Sequence, residues 1–497
     1  MEQTKQTVFA PMPEVGRVGL RGRPLKVLLV SPPTGLSYRI LGVSRPPLGL
    51  AYIAAVLRDH YHVRIVDFGV EDLDRSAYPY GDFDVVGISA DTTRYPIALE
   101  IARSAKQQGA LVLMGGPHVS FLDREALETG VVDYVIRNEG EYALLSLLQY
   151  LEGKRELEEV RGVSYVADGN FCRTPDAPFI DDLDSLPFPA RDLLPMELYG
   201  ERMDGRRMTT VVTSRGCPFK CDFCSSSRFF GIHWRARSAD NILSEVESLY
   251  KEHGYRAIAF VDDNFTLDPR RTIEMSEKII AREWDLIWAG MTRVDTIVSN
   301  PGMVEIMAKA GFRWTFIGFE SGSQEALDGY GKGAHVADSF RAMEILTKNG
   351  VEVTGAFILG APGETKQMMK ETIEFAKRLN PRRAQFSLLT PYPGSKTYEK
   401  LKDRLLTNDW GLYSGLHPVI RMDHVSPNEM RSIQIAAYSS FYARPRKAFE
   451  NLSYVRRALP SATGFLAARA LASVAAAGYH PVAKAWKYIA GAHRLLG

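Results

Sequence analysis

Cysteine is scarce in this chain, with four in 497 residues. So few cannot staple a disulfide scaffold, and they fit a reducing compartment. A long uncharged apolar run is missing as well. The best candidate, Ala462 to Tyr479, is Ala-rich, short and interrupted by Arg469, so it does not read as a bilayer span. Neither sign of charge dominates: the net charge of +2 argues neither for nor against nucleic acid. Met1 to Arg23 carries proline and charge but no apolar signal-peptide core, which leads us to expect a cytoplasmic protein. Repeats and low-complexity tracts are absent. No RNA-binding module is recognisable, so nucleic acid is not an expected partner. The hydrophobic share of 45% and charged share of 24% describe a folded chain, long enough for about three domains.

What is present is concentrated. Cys217, Cys221 and Cys224 fall within eight residues as C-x3-C-x2-C. Three thiolates can hold three irons of a [4Fe–4S] cube and leave the fourth iron open to another ligand. A ferredoxin that only moves electrons wants four cysteines. A structural zinc site also wants a fourth ligand, and usually two C-x2-C-type pairs. Chance clustering without metal is the plain alternative. Cys172, far from the triplet, reads as a packed small residue.

Apolar runs alternate with helical stretches along most of the chain. Strands are expected at Lys26–Ser31, His62–Asp67, Asp84–Ala90, Leu111–Met114 and Tyr134–Arg137, with helices between. That rhythm means βαβ units and a doubly wound parallel sheet of Rossmann or flavodoxin type, with its ligand over the carboxyl ends of the strands. A polar, Pro-rich connector follows. A second series begins at Thr209 and continues at Ala257, Leu286, Trp314, Val353 and Ala384, six strands in βα alternation. This implies a partial (β/α)6 barrel, whose active end carries the cysteine loop. The divisions are a tail to 25, a first domain over 26–165, a connector over 166–205, a barrel over 206–400 and a helical region over 401–497. From Phe441 onward nine Lys or Arg stand against the single acid Glu450. Such a segment is either a solvated helical cap or a contact for an anionic membrane surface or partner.

The triplet on the first βα loop of such a barrel resembles the radical S-adenosylmethionine (SAM) enzymes. The resemblance places Phe223 against the adenine. It gives the methionine amino group to the segment Val261-Asp262-Asp263-Asn264, and the SAM carboxylate and ribose to Arg293-Val-Asp295 and Gly318-Phe-Glu320. Gly360 and Pro362, in Gly360-Ala-Pro-Gly-Glu-Thr365, would back the adenine. In such enzymes the open iron chelates SAM, and one electron releases a 5′-deoxyadenosyl radical that takes hydrogen from unactivated carbon. An external one-electron donor of flavodoxin or ferredoxin type, and anaerobic working conditions, are implied.

The first domain resembles the cobalamin-binding domain of one large class of these enzymes, through Ser31-Pro-Pro, Arg45-Pro-Pro-Leu-Gly-Leu, Val86-Gly-Ile-Ser89, Gly115-Gly116-Pro-His118 and Asn138-Glu139-Gly140-Glu141. No Asp-x-His-x-x-Gly occurs, so cobalamin is expected without a histidine on its lower face. His118 then lines the nucleotide-tail slot or caps backbone, and Thr92, Thr93, Arg94 or Tyr95 meets the lower face. A flavodoxin-like sheet whose ligand site has decayed is the alternative.

The implied activity is cobalamin-dependent C-methylation. One SAM methylates cob(I)alamin, a second supplies the radical, and the substrate radical takes the methyl from methylcobalamin. Oxidative cyclases and ring- or lipid-modifying enzymes of the same class, acting on tetrapyrroles or hopanoids, are the rival. The sequence does not name the substrate; the resemblance implies a peptide, lipid or tetrapyrrole. A cluster- and cobalamin-responsive sensor without turnover is the non-enzymatic alternative.

Overall fold

The computed structural model describes Met12 and residues 23–33, 44–445 and Lys447. The stretch Ala462 to Tyr479 and most of the basic segment from 441 lie outside the described residues. Among the described residues no helix is long and apolar enough to cross a membrane.

Seven strands build the first sheet: β1 (Lys26–Ser31), β2 (His62–Asp67), β3 (Val85–Ser89), β4 (Leu111–Gly115), β5 (Tyr134–Ile136), β6 (Val163–Ala167) and β7 (Asn170–Arg173). Their order is β2-β1-β3-β4-β5-β6-β7, and β1 to β5 run parallel. Both faces of β1 are covered, which is why its sequence is a continuous apolar run rather than an alternation. The sheet does not stop at 165. β6 and β7 form an antiparallel hairpin on its edge, turned by Asp168 and Gly169, both at positive φ as a tight hairpin requires. The expected boundary therefore cuts through β6, and the first residues of the expected connector complete the sheet. Cys172 lies half-buried on β7, where its Sγ–H meets the Asn170 carbonyl at 3.6 Å.

The second sheet contains β8 (Arg202–Met203), β9 (Arg206–Val211), β12 (Ala257–Phe260), β13 (Ile287–Thr292), β14 (Phe312–Glu320), β15 (Glu352–Leu359) and β16 (Arg383–Leu388). A separate two-stranded ribbon pairs β10 (Ser214–Arg215) with β11 (Arg235–Ala236). Six parallel strands follow the order β16-β15-β14-β13-β12-β9, and β8 adds an antiparallel edge. The barrel is thus open between β16 and β8.

Helix Pro427–Tyr442 protects one open edge. Tyr442 Oη accepts from the Ala384 N–H and donates to its carbonyl, both at 2.9 Å, and Gln434 Nε2 donates to the Phe386 carbonyl at 2.8 Å. Side chains thereby satisfy edge groups of β16 that would otherwise invite pairing with another strand. Apolar side chains from both sheets, together with Trp410, merge into one continuous core.

Candidate active site between the two sheets

The cysteine loop is tied down at its base. The Asp262 carboxylate, just past β12, accepts from the backbone N–H groups of Thr213 (2.6 Å) and Ser214 (3.1 Å) and from the Thr213 hydroxyl. The β10–β11 ribbon then closes the loop. Between them Gly216 turns at φ +82°, where an added Cβ would lie 2.3 Å from the His233 carbonyl oxygen. Farther out, Asp222 receives Lys396 Nζ at 3.0 Å and Lys400 Nζ at 2.6 Å from helix Lys396–Leu401. Its N–H reaches the Tyr330 carbonyl at 2.9 Å.

The three cysteines are half-buried on this loop. Backbone N–H groups of Ser226 and Ser227 point at the Cys224 sulfur, and that of Phe219 at Cys217. Burial pushes the Cys217 thiol up to about 11 and the Cys224 thiol upward too, so neither is a thiolate without a cation beside it. A metal centre deprotonates such thiols outright. Among the described residues no three His, Cys, Asp or Glu side chains converge on a single ion. A cube takes each thiolate on a different iron, so three separated sulfurs with N–H donors suit it.

Around the loop stand the residues expected to hold SAM. Phe223 packs edge-on to Tyr330 with centroids 5.6 Å apart, and the Arg293 guanidinium covers Phe219 at 3.5 Å. Arg293 pairs with Asp295 at 3.0 Å and donates to the Lys332 carbonyl at 2.9 Å. A register shift between Gly318 and Glu320 breaks the β14–β15 ladder and leaves Glu320 at φ +61°. That bulge aims its carboxylate at Lys332 Nζ, 2.8 Å away. Asp263 accepts from the Ser226 hydroxyl at 2.6 Å. The Gly360 and Ala361 N–H groups donate to Glu364 Oε2 at 2.6 and 2.9 Å, while Pro362 lies exposed on the outer turn. Asp262 differs from Asp263 in being fully engaged as a backbone anchor.

On the other side a cavity of about 240 Å³ opens at the carboxyl ends of β3 and β4, against helices Leu48–Leu57 and Glu141–Leu151. Ser89, Gly115, Gly116, Glu139 and Gly140 line it, with Leu29, Ile53, Leu113 and Ile136 giving it an apolar interior. Glycine keeps it open: a Cβ on Gly140 would lie 3.0 Å from Ile53 Cδ1, and one on Gly87 3.2 Å from Leu29 Cδ2. Ser31 is buried and hydrogen-bonds Asp67 instead. On the loop after β3, Asp91 gathers the Thr93 hydroxyl (2.8 Å) and both the N–H (3.0 Å) and Nε (2.5 Å) of Arg94.

His118 lies off the cavity. It is completely buried between Tyr95, with centroids 4.1 Å apart, and Trp410 at 4.9 Å, and its Nδ1 is 3.3 Å from Thr92 Oγ1. Burial pushes the imidazole down to about 3.

Glu139 has a second role at this boundary. With Glu141 it meets Arg215 and Arg235 of the ribbon, so the first sheet grips the base of the cysteine loop directly.

Two family models match the chain, the radical SAM superfamily over residues 211–376 and a B12-binding domain over 41–148. An uncharacterised methyltransferase of Pyrococcus horikoshii is 38% identical over 432 residues, covering 85% of this chain and 93% of that one. The chain belongs to the cobalamin-binding radical SAM family. An anaerobic magnesium-protoporphyrin IX monomethyl ester cyclase of Rubrivivax gelatinosus is a more distant relative, 28% identical over 84% of this chain and 77% of that one. Among solved structures, the cobalamin-dependent SAM radical enzyme OxsB, with aqua-cobalamin and SAM bound, shares the fold at TM-score 0.72. It is 19% identical, with 87% of this chain and 71% of that one covered.

The cofactors of a cobalamin-binding radical SAM chain are a [4Fe–4S] cluster, SAM and cobalamin, and such enzymes draw on an external one-electron donor. The donor set here fits them: three thiols with N–H groups at two of the sulfurs, and a glycine-framed apolar cavity beside them.

Sequence reasoning missed Lys332, Tyr330 and Trp410, and it quoted Glu364 within Gly360–Thr365 without giving it a role. Of the three missed, Lys332 alone had a signal, a lysine between two glycines in the loop after helix Gln324–Gly329.

Proposed function

We propose that this chain is a cobalamin-dependent radical SAM C-methyltransferase, working in the cytoplasm under anaerobic conditions. The observation that carries the reading is the shared wall of the two sites. Arg215, two residues before Cys217, lines the cavity at the carboxyl ends of the first sheet. Substrate between cluster and cobalt is what radical formation followed by methyl capture requires.

Cys217, Cys221 and Cys224 would hold the cluster. Asp263, Arg293 and Glu320 would orient SAM, and Phe223 would face its adenine, with Gly360 and Pro362 behind. Ser89, Gly115, Gly116 and Gly140 would cradle cobalamin, with Thr92, Thr93, Arg94 and Tyr95 on the adjoining loop. When bound, the cluster supplies the electron that cleaves SAM, and cobalamin supplies the methyl group. The chain's own work is to hold these parts and to keep water away from the reacting carbon.

The test is anaerobic incubation of reconstituted, cobalamin-loaded protein with methyl-labelled SAM and candidate peptide, lipid or tetrapyrrole extracts. The expected result is labelled product heavier by one CH2, together with S-adenosylhomocysteine and 5′-deoxyadenosine. The cyclase relative supports a second reading, oxidative ring closure. There, 5′-deoxyadenosine would form with no label entering the product. A sensor would form neither.

A further inference from the structure

The two sheets are joined by a buried set of charges that methyl transfer does not in itself require. Glu139 and Glu141 stand where β5 gives way to helix Glu141–Leu151. Arg215 and Arg235 come from the two strands of the ribbon under the cysteine loop. Arg215 Nη1 donates to Glu139 Oε1 at 3.0 Å, and its Nη2 to Glu141 Oε1 at 2.6 Å. Arg235 Nη1 donates to both Glu139 oxygens at 2.9 Å and to the Ile180 carbonyl at 2.6 Å. No side chain of the four is more than 6% exposed.

Two carboxylates balance two guanidiniums, and each charge depends on the others. A buried ion pair adds little net stability, but stranding one partner is strongly unfavourable, so the set acts as one unit. It also forms part of the cavity. Glu139, Glu141 and Arg215 line it, and Arg215 lies over Tyr52 at 5.4 Å and Phe230 at 5.9 Å, two further wall residues. Arg235 Nη2 holds the Phe230 carbonyl at 2.7 Å. One wall of the cavity is therefore the same piece of chain that enters the triplet at Cys217.

We propose that Glu139, Glu141, Arg215 and Arg235 form a positioning clasp that couples cobalamin retention to the iron–sulfur loop. The proposal rests on the assignment of the cavity to cobalamin. A loop that keeps its cluster holds the ribbon, and the ribbon holds the cavity wall. Filling the cavity braces the ribbon in return. Coupling of this kind is reciprocal: each cofactor strengthens the other's binding by the same factor.

The test compares hydroxocobalamin affinity, by equilibrium dialysis, for cluster-loaded protein and for the same protein after iron removal by a chelator. Wild type should bind cobalamin about tenfold more weakly without iron, and cobalamin should slow iron loss to the chelator. Arg215→Lys keeps the charge but loses the planar fork that spans two carboxylates, and Glu139→Gln keeps the shape but loses the charge. In both variants the difference between the two forms should shrink to less than about twofold, with circular dichroism unchanged. Equal affinity with and without iron in wild type, or undiminished coupling in the variants, overturns the clasp. The wild-type comparison stands without either variant, should one fail to fold. No cobalamin uptake in any form overturns the cavity assignment itself, a result distinct from equal affinity.

Discussion

A Cβ placed on Gly318 would lie 2.0 Å from Oε1 of Glu320, so the missing side chain of one residue is the space occupied by the carboxylate of the other. The same Cβ would sit 2.9 Å from Lys332 Nζ. Gly318→Ala must therefore displace the Glu320–Lys332 pair. Crowding of this kind costs about 1–3 kcal/mol of stability. Under the proposed SAM contacts, the variant should bind SAM at least about tenfold more weakly while keeping its full iron content. Equilibrium dialysis with SAM and an iron assay check this. Unchanged SAM affinity would remove Glu320 from the SAM site.

The four cysteines divide by position. Cys172 sits on the edge hairpin of the first sheet, where its Sγ–H meets the Asn170 carbonyl and its thiol also hydrogen-bonds the Tyr165 side chain on the paired strand. Cys172→Ser should leave iron and sulfide content after reconstitution unchanged. Replacing Cys217, Cys221 or Cys224 by Ala should remove the cluster absorbance and abolish 5′-deoxyadenosine formation. An iron-depleted Cys172→Ser would make the edge cysteine a ligand.

Much of this architecture is legible in the sequence because its strands are central and parallel. β1, β3, β4 and β12, buried on both faces, read as nearly uninterrupted apolar runs. The triplet is legible for a different reason, since one loop carries all three ligands. What escaped depends on long-range geometry. Trp410 is unremarkable in sequence, yet its indole packs on His118 from 292 residues away and donates to Glu125 at 2.8 Å. The pairing of Glu139 with Arg215 and Arg235 likewise has no local signature, so Glu139 reads only as a ligand residue. Asp262 and Asp263 are adjacent and chemically identical, and only the fold separates an anchor from a group facing the cluster loop.

Glu364 should make the protein lose stability as pH rises from about 4.5 to about 7. Burial pushes its carboxyl up to about 7, although the Gly360 and Ala361 N–H groups pull the other way, and its Oε1 has no hydrogen-bond partner among the described residues. The folded state thus keeps a proton that an unfolded chain releases near 4.5. Between those values the folded form binds more protons, so this group's contribution makes stability fall as pH rises, then level off above about 7. The full loss is roughly 3 kcal/mol. Glu364→Gln should remove it, so that its melting temperature exceeds wild type by a margin that widens from pH 5 to pH 7. A constant margin in SAM-free protein would contradict this.

His118 works in the opposite direction. Its imidazole, pushed down to about 3 by burial, stays neutral where an unfolded chain takes up a proton near 6.5. Below 6.5 the unfolded form therefore binds more protons, and stability falls as pH falls through that window. Between pH 6.5 and 4 the loss is roughly 2–4 kcal/mol. His118→Gln should flatten this acid limb in denaturant titrations. Trp410→Ala opens the same ring to water, so it should flatten the limb too, at a cost of about 3–5 kcal/mol near neutral pH. If His118→Gln titrates like wild type, another group governs the acid limb.

Asp262 and Asp263 should separate cleanly under substitution. Asp262 accepts two backbone N–H groups and the Thr213 hydroxyl at the start of the cysteine loop, with Arg271 4.0 Å away. Asp262→Ala strands those donors and the cation together, at about 2–4 kcal/mol, and it releases the turn from which the loop departs. The expected result is a lower melting temperature and poor iron uptake. Asp263 carries one side-chain bond, from Ser226. Asp263→Asn keeps that bond, so stability and iron content should hold. Under the proposed SAM contacts it removes the negative charge that would meet the methionine ammonium, and SAM affinity should fall by about tenfold or more, as lost charge-assisted hydrogen bonds do. Iron content and SAM binding, measured on both variants, give a crossed pattern: iron lost first in one, SAM lost first in the other. A reversed or shared pattern would mean that the two carboxylates have exchanged roles or act together.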